Sequence, residues 1–365
     1  MSLHCSTIEL ESFPVAPLDD RPQDDGMRDT SNYQPPYTIT PAIVHLVAQV
    51  SEAVGRLTVL TDQSKTLRLR RINRIRTIRG SLAIEGNTLS EAQITAILEG
   101  KRVIAPPREI QEVHNAIAAY DRLEQWNPEV TADLLEAHRI LMAGLIDESG
   151  AYRRGSVGVM GGGEVIHLAP PADRVPVLMT DLFRWLTIAE EHPLITSSVF
   201  HYEFEFIHPF ADGNGRMGRL WQSLILTRWK PLFADVPVES LVHEHQADYY
   251  QALQKSTDQT DSAPFIEFML KMILDAVSTA APQVALQVTP QVKRLLQVIQ
   301  GEMTREALQN ALELQDRKSF RERYLKPSLA EDLIEMTIPD KPNSRLQQYR
   351  LTDKGLQWLH DCVGE

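Results

Sequence analysis

The chain has 365 residues, with Lys+Arg 37 against Asp+Glu 49, a net charge of −12, and 43% hydrophobic content. That length holds two or three domains, and the acidic balance excludes a protein that binds nucleic acid through overall charge. No apolar run is long enough to span a bilayer, the start MSLHCSTIELESF has no basic region leading into an apolar one, and Cys5 and Cys362 alone build no disulfide framework, so a cytoplasmic protein without a membrane partner is expected.

Residues 1–36 hold Pro14, Pro17, Pro22, Pro35 and Pro36 with scattered aspartates, which predicts an extended or disordered arm. From Pro41 to about Ala280, apolar residues recur at three- and four-residue spacing, so the body should be mainly α. One helix is expected from about Arg56 into Ala83, closed by Gly86. Leu69, Ile72, Ile75 and Ile78 form its buried stripe, and the rest of residues 65–79 is a solvated basic face. The next helix opens on Thr88-Leu89-Ser90-Glu91, a capping-box spacing, and closes at Gly100. Residues 156–171, SVGVMGGGEVIHLAPP, break the helical texture and predict a short β-hairpin. Beyond Pro282, one helix starts at Thr289-Pro290, Thr304 caps a second, and 316–325 suits a third. A two-stranded wing over 333–338 and 347–351 completes a winged helix-turn-helix pattern.

The stretch His208-Pro209-Phe210-Ala211-Asp212-Gly213-Asn214-Gly215-Arg216-Met217-Gly218-Arg219 lies between two apolar helical faces. Gly213-Asn214-Gly215 allows φ > 0 and close backbone approach where a helix N-terminus favours an anion, which makes a phosphate cradle. Arg216 and Arg219 share one helical face and can each fork onto phosphate oxygens. Asp212 supplies a hard oxygen for magnesium, and His208 can take a proton from an attacking hydroxyl.

Together these residues resemble the signature of the Fic family, His-x-Phe-x-Asp/Glu-Gly-Asn-Gly-Arg-x-x-Arg, with every specified position matched. The resemblance implies an all-helical core that transfers AMP from ATP to a Ser, Thr or Tyr hydroxyl of a protein target and releases pyrophosphate. By motif position, His208 is then the general base, Asp212 the Mg2+ ligand and Phe210 a core anchor. Gly213, Asn214 and Gly215, with Met217 and Gly218 in the same run, form the ATP-binding loop; Arg216 and Arg219 hold phosphate, Arg219 nearest the γ-phosphate. The hairpin resembles the family's target flap, with Val165, Ile166, His167 and Leu168 on its second strand. The expected division is an arm over 1–36, an N-terminal helical region over 37–110, a Fic core over 111–280 and a winged-helix-like domain over 286–365.

Ser81-Leu82-Ala83-Ile84-Glu85-Gly86 stands upstream, with Ser81 and Glu85 on one helical face. A Glu at a helix C-terminus opposes the dipole unless a cation meets it, and Arg219 is such a cation. The segment resembles the family's inhibitory motif, Ser/Thr-x-x-x-Glu-Gly/Asn, whose Glu pairs with the second motif arginine. Tyr249 and Tyr250 resemble the aromatic pair of the adenine pocket; some members place Asn seven residues after the second Tyr, where this chain has Thr257. His201, His243 and His245 read as structural or surface residues.

The leading expectation is a self-inhibited protein adenylyltransferase using ATP and Mg2+. Removal of AMP from a modified target by the same site is a second reading, and a nucleotide-sensing DNA-binding regulator a third. Arg317, Lys318, Arg321, Arg323 and Lys326 would form the DNA-facing helix of the third. Self-modification and a homodimer stay open.

Overall fold

The computed structural model describes residues 6–9, 33–63, 67–161, 164–285, 290–339, 341, 344–356 and 359. The chain divides into two compact units, 1–281 and 282–365.

The first unit opens with α1 (Pro41–Gln63) and α2 (Leu67–Ile84), where one helix from about Arg56 was expected. The buried stripe of α1 includes Ile43, Val50, Val54 and Leu57, so Arg56 lies inside this helix and does not start one. In α2, Ile75, Ile78 and Leu82 are buried and Ile72 is half-buried; the Leu69 side chain lies outside the described residues. The basic face of α2 meets local acids: Arg70 with Asp235 at 3.2 Å, Arg71 with Glu99 at 2.9 Å and Arg74 with Asp121 at 2.6 Å. Gly86, at φ 90, closes this helix as expected.

α3 (Glu91–Leu98) corrects the expected cap. Ser90 Oγ accepts from Gln93 N at 3.3 Å and Gln93 Oε1 accepts from Ser90 N at 3.0 Å, so the box is Ser90–Gln93. Thr88 is drawn away from capping because its N and Oγ1 both donate to Glu109 Oε2, at 2.7 and 2.8 Å. α4 (Pro107–Asp121), α5 (Thr131–Leu141) and α6 (Val175–Ile188) lead to the central pair, α7 (Pro193–Ile207) and α8 (Asn214–Trp229). Phe200, Phe204 and Ile207 of α7 and Met217, Leu220 and Trp221 of α8 are all essentially inaccessible, as helices at the centre of a core must be. α9 (Val238–Glu244), α10 (Gln246–Gln259) and α11 (Ala263–Ala285) complete the unit.

α2 reaches the central pair by packing on α9 through Gly80. A Cβ there would come within 2.6 Å of Glu239 C and Ser240 N, so only glycine permits the approach. Ser240 Oγ then donates to Arg76 O at 3.0 Å. Residues 33–40 are strapped to the same body: Tyr33 Oη donates to Glu203 Oε2 at 2.7 Å, and Ser262 N donates to Pro36 O at 2.9 Å.

The hairpin consists of β2 (Val157–Gly161) and β3 (Glu164–Leu168), antiparallel with a bulge between Val159 and Met160. It is part of a three-stranded sheet, which the sequence did not predict. β1 (Ser6–Glu9), in the expected unstructured arm, pairs antiparallel with the other edge of β2, Ser6 opposite Met160 and Glu9 opposite Val157. An unpaired strand edge attracts another strand, and here the chain's own N-terminal segment takes it.

The second unit runs α12 (Pro290–Val298), β4 (Met303–Thr304), α13 (Arg305–Ala311), α14 (Arg317–Phe320), a π-helical turn over Arg321–Leu325, α15 (Lys326–Ala330), β5 (Ile334–Met336) and β6 (Gln348–Leu351). Thr304 Oγ1 caps α13 by accepting from Ala307 N at 3.2 Å, and Asp316 caps α14. The expected third helix thus continues to Ala330 through a π turn, and the expected two-stranded wing gains β4, in the order β4-β6-β5. Leu296, Leu308, Phe320 and Tyr349 lie in its core. Among the described residues, no helix is long and apolar enough to cross a membrane.

Candidate active site

The loop between α7 and α8 is built by local rules. α7 ends at His208, which adopts the left-handed conformation (φ 50, ψ 61) while its N–H still donates to Phe204 O at 2.9 Å. Gly213, at φ 86, turns the chain into α8, and a Cβ there would sit 2.6 Å from Met142 Sδ. Asn214 clamps the loop from inside: Oδ1 accepts from Phe210 N at 2.9 Å and Nδ2 donates to Phe210 O at 2.8 Å. Phe210 is fully buried and stacks on His138 with ring centroids 3.6 Å apart.

His208 Nδ1 lies 3.4 Å from Glu205 O, and a carbonyl only accepts, so Nδ1 carries the proton of that contact. Asp212 Oδ1 accepts from Gly213 N at 2.6 Å and from Arg216 Nη2 at 3.1 Å, while Oδ2 meets Arg108 Nη2 at 3.2 Å. Arg216 is buried, lies 3.8 Å from Glu112, and its Nε has no hydrogen-bond partner among the described residues.

Arg219, also buried, is where α2 meets the loop. Its Nη2 donates to Glu85 Oε1 at 2.6 Å and to Ser81 O at 3.0 Å, and its Nε donates to Ser81 Oγ at 3.3 Å. Burial alone would lower this guanidinium's pKa; the Glu85 carboxylate beside it overrides that and holds it above its ordinary value. A Cβ at Gly215 would collide with Glu85 Oε1, so glycine is needed for the carboxylate to seat over the loop.

These groups line one cavity of about 350 Å³. Its wall carries Glu85, His208, Asp212, Arg216 and Arg219 together with Tyr202, Phe206, Tyr249, Tyr250, Leu253 and Thr257. The lining also includes Gly213, Asn214 and Gly215, whereas Met217 and Gly218 face the core side of α8: Met217 is fully buried, and Gly218 packs on His201 and Glu205. Tyr249 is buried, with its hydroxyl 3.2 Å from His201 Nε2. Burial holds His201 near a pKa of about 3, a neutral structural residue as expected. Gln246 Nε2 donates to Ile84 O at 2.8 Å, joining α10 to the end of α2. Leu168 of β3 is half-exposed; the side chains of Val165, Ile166 and His167 lie outside the described residues.

Several residues that shape the site carry no motif. Arg153 holds the hairpin base to the loop: Nε donates to His208 O at 2.8 Å, Nη1 to Gly155 O at 2.9 Å, and Nη2 to Pro170 O. Gly150 N donates to His138 Nδ1 at 2.8 Å, so His138 Nε2 is the donor to Asp212 O at 3.0 Å. Burial lowers His138 to about 4, which keeps that neutral tautomer. Glu205, with Glu203 one of two acids in an apolar helix end, was a legible signal; it is buried, pushed up to about 8 by desolvation, and its Oε1 has no hydrogen-bond partner among the described residues.

Comparison with known proteins agrees with this geometry. Residues 128–226 match the Fic/DOC family, and residues 290–352 match the C-terminal domain of Fic-like "filamentation induced by cAMP" proteins. Protein adenylyltransferase Fic of Culex quinquefasciatus is 34% identical over 203 residues, 52% of this chain and 38% of the relative. The namesake of Drosophila melanogaster is 34% identical over 202 residues, with the same coverage. This chain thus spans about two-fifths of the length of those relatives. A Fic domain containing signaling protein of Bacteroides thetaiotaomicron shares the fold at 20% identity and TM-score 0.54, covering 65% of this chain and 97% of its own. The crystal structure of a Fic family protein from Desulfovibrio desulfuricans G20 superposes with a TM-score of 0.68 at 56% identity, covering 88% of this chain and 99% of that one. With that likeness over nearly the whole of the second protein and the signature loop closed on its cavity, the chain belongs to the Fic family.

Proposed function

We propose that this protein is a self-inhibited adenylyltransferase that moves AMP from ATP to a hydroxyl of a protein target. The observation that carries the reading is the pair of buried guanidinium groups, Arg216 and Arg219, lining the same cavity as His208. A triphosphate needs charge neutralisation at buried donors, and the unpartnered Nε of Arg216 is such a donor.

In this mechanism the triphosphate lies over the N-terminus of α8, whose first-turn N–H groups have no intrahelical acceptor. Arg216 and Arg219 bind its oxygens. His208 Nε2 takes the proton from the target hydroxyl as its oxygen attacks the α-phosphorus; the bond to the β-phosphate oxygen breaks and pyrophosphate leaves. The Nδ1–H bond to Glu205 O orients the ring, and Arg153 holds the His208 carbonyl. Asp212 fits a magnesium ligand: a half-exposed carboxylate on the cavity wall, suited to an ion that takes its other ligands from phosphate and water. When bound there, Mg2+ would offset phosphate charge. β3 is an edge strand of its sheet, so a target segment would add along it. Glu85 occupies Arg219 and thereby keeps the γ-phosphate from its partner.

The cysteine content supports a cytoplasmic location, and the helix order of the second unit supports a winged-helix reading. Intact-mass spectrometry of the chain with ATP and magnesium tests the function. Glu85→Gly should gain the mass of AMP by self-modification, and Glu85→Gly/His208→Ala should not. No gain in either protein, with ATP bound, would refute the reading.

A further inference from the structure

Thr257 lies on the cavity wall beside Tyr250 and Leu253, away from Arg216 and Arg219 in sequence, and its hydroxyl is engaged. Thr257 Oγ1 lies 3.1 Å from Leu253 O, one turn back along α10. A carbonyl can only accept, so that contact takes the single proton of Thr257. Tyr202 Oη lies 3.1 Å from the same Oγ1, so the tyrosine is the donor of that bond. Both protons are then committed, and what Tyr202 has left is lone pairs.

Tyr202 and Thr257 both line the cavity, beside Phe206, Tyr250 and Leu253. The Tyr202 ring packs on Phe206 at 6.4 Å and on Phe265 at 5.8 Å, so its hydroxyl is held on a rigid wall. Burial pushes this phenol up to about 12, which keeps it protonated and bound to Thr257 at neutral pH. Gln254, the amide on the same wall, has its Nε2 turned to Asp258 Oδ1 at 2.7 Å.

We propose that the Tyr202 hydroxyl, oriented by Thr257, reads the nucleobase as a fixed acceptor and selects a purine with an amino group at C6 over one with a carbonyl. Adenine offers N–H donors there; guanine offers an oxygen, which would face the tyrosine oxygen with no proton between them. Cytosine also carries an amino group but is one ring shorter. This inference rests on the nucleotide-transfer reading above and adds to it the group that chooses the base.

The test is equilibrium calorimetry on Glu85→Gly with ATP, GTP and purine riboside triphosphate, which lacks any C6 substituent. ATP should bind about tenfold or more tighter than GTP, because a buried acceptor set against another acceptor leaves both unsatisfied. Tyr202→Phe keeps the ring contacts and removes the hydroxyl. It should bring ATP, GTP and purine riboside triphosphate within about threefold of one another. Thr257→Val keeps the tyrosine but frees its proton, so GTP should gain affinity relative to ATP. If Tyr202→Phe retained the full preference for ATP, the assignment would be overturned. Equal binding of ATP and GTP by Glu85→Gly would overturn the base assignment and leave AMP transfer, followed by mass on the same samples, intact. No binding of any nucleotide would overturn both.

Discussion

Glu85 Oε1 stands 2.6 Å from Arg219 Nη2, and Ser81, one turn earlier on α2, holds the same guanidinium through Oγ and its carbonyl. One helix face therefore closes on the arginine that a terminal phosphate would need. On the proposed reading, carboxylate and phosphate compete for one partner, so the strength of this pair should set the resting activity.

Glu85→Gly should raise self-adenylylation about 10- to 100-fold, the equivalent of losing a charge-assisted pair of about 1.5–3 kcal/mol. Arg219→Ala should lower it, even in the Glu85→Gly background, because it removes the group that the pair was masking. The double variant should match Arg219→Ala alone, a non-additive outcome visible in mass-spectrometric time courses. A Glu85→Gly protein slower than wild type would count against inhibition.

His208→Ala should reduce transfer by about 10²–10⁴ while ATP affinity changes little, since the ring accepts a proton and holds no phosphate. Binding and single-turnover rates measured on the same variant separate the two effects. Unchanged turnover would remove His208 from the chemistry.

Asp212→Ala should abolish the dependence of transfer on magnesium. The described residues hold no cluster of three or more carboxylates, histidines or cysteines to replace it. A magnesium titration of the rate checks this, and a wild-type response would place the ligand elsewhere.

Gly80→Ala should loosen the inhibitory pair from a distance. The added methyl collides with the backbone of Glu239 and Ser240, which cannot move as a flexible side chain would. Pushing α2 off α9 should cost about 1–3 kcal/mol in denaturant unfolding. It should also raise transfer, because Ser81 lies on this helix and Glu85 in the turn that ends it.

Glu203→Gln should flatten the pH dependence of stability. Burial raises Glu203 from 4.5 to about 7 in the folded protein, only partly offset by the Tyr33 hydroxyl. The folded state then keeps a proton that the unfolded chain has lost, so this group makes stability fall as pH rises from 4.5 to about 7. The advantage of Glu203→Gln over wild type in thermal unfolding should grow across that window and level off above it. An advantage independent of pH would contradict a buried, titrating carboxyl.

The loop from His208 to Arg219 was legible because its chemistry is local. A glycine at positive φ, an asparagine that clamps the turn and arginines one turn apart all act within a dozen residues. The helix-period apolar faces of α7 and α8 likewise marked the centre of the core before any contact was known. One helix start was not legible: Arg56 was expected to begin a helix, and it lies inside α1, whose apolar period runs on through it.

What the sequence determined by itself was the set of reactive groups, since residue type and short spacing carry that information. Tertiary structure decided which of them meet. Glu85 and Arg219 are 134 positions apart, and they pair because Gly80 lets α2 lie against α9. Arg153 and His138 brace the loop through its carbonyl oxygens, which no motif records, because a backbone acceptor looks the same at every residue. The hydroxyl of Tyr202 becomes an acceptor only through Thr257 and Leu253, an assignment of protons that exists once the two helices are packed. β1 finds β2 across 150 residues for the same reason: four residues of strand propensity are common, and only an open edge in the folded body selects a partner for them.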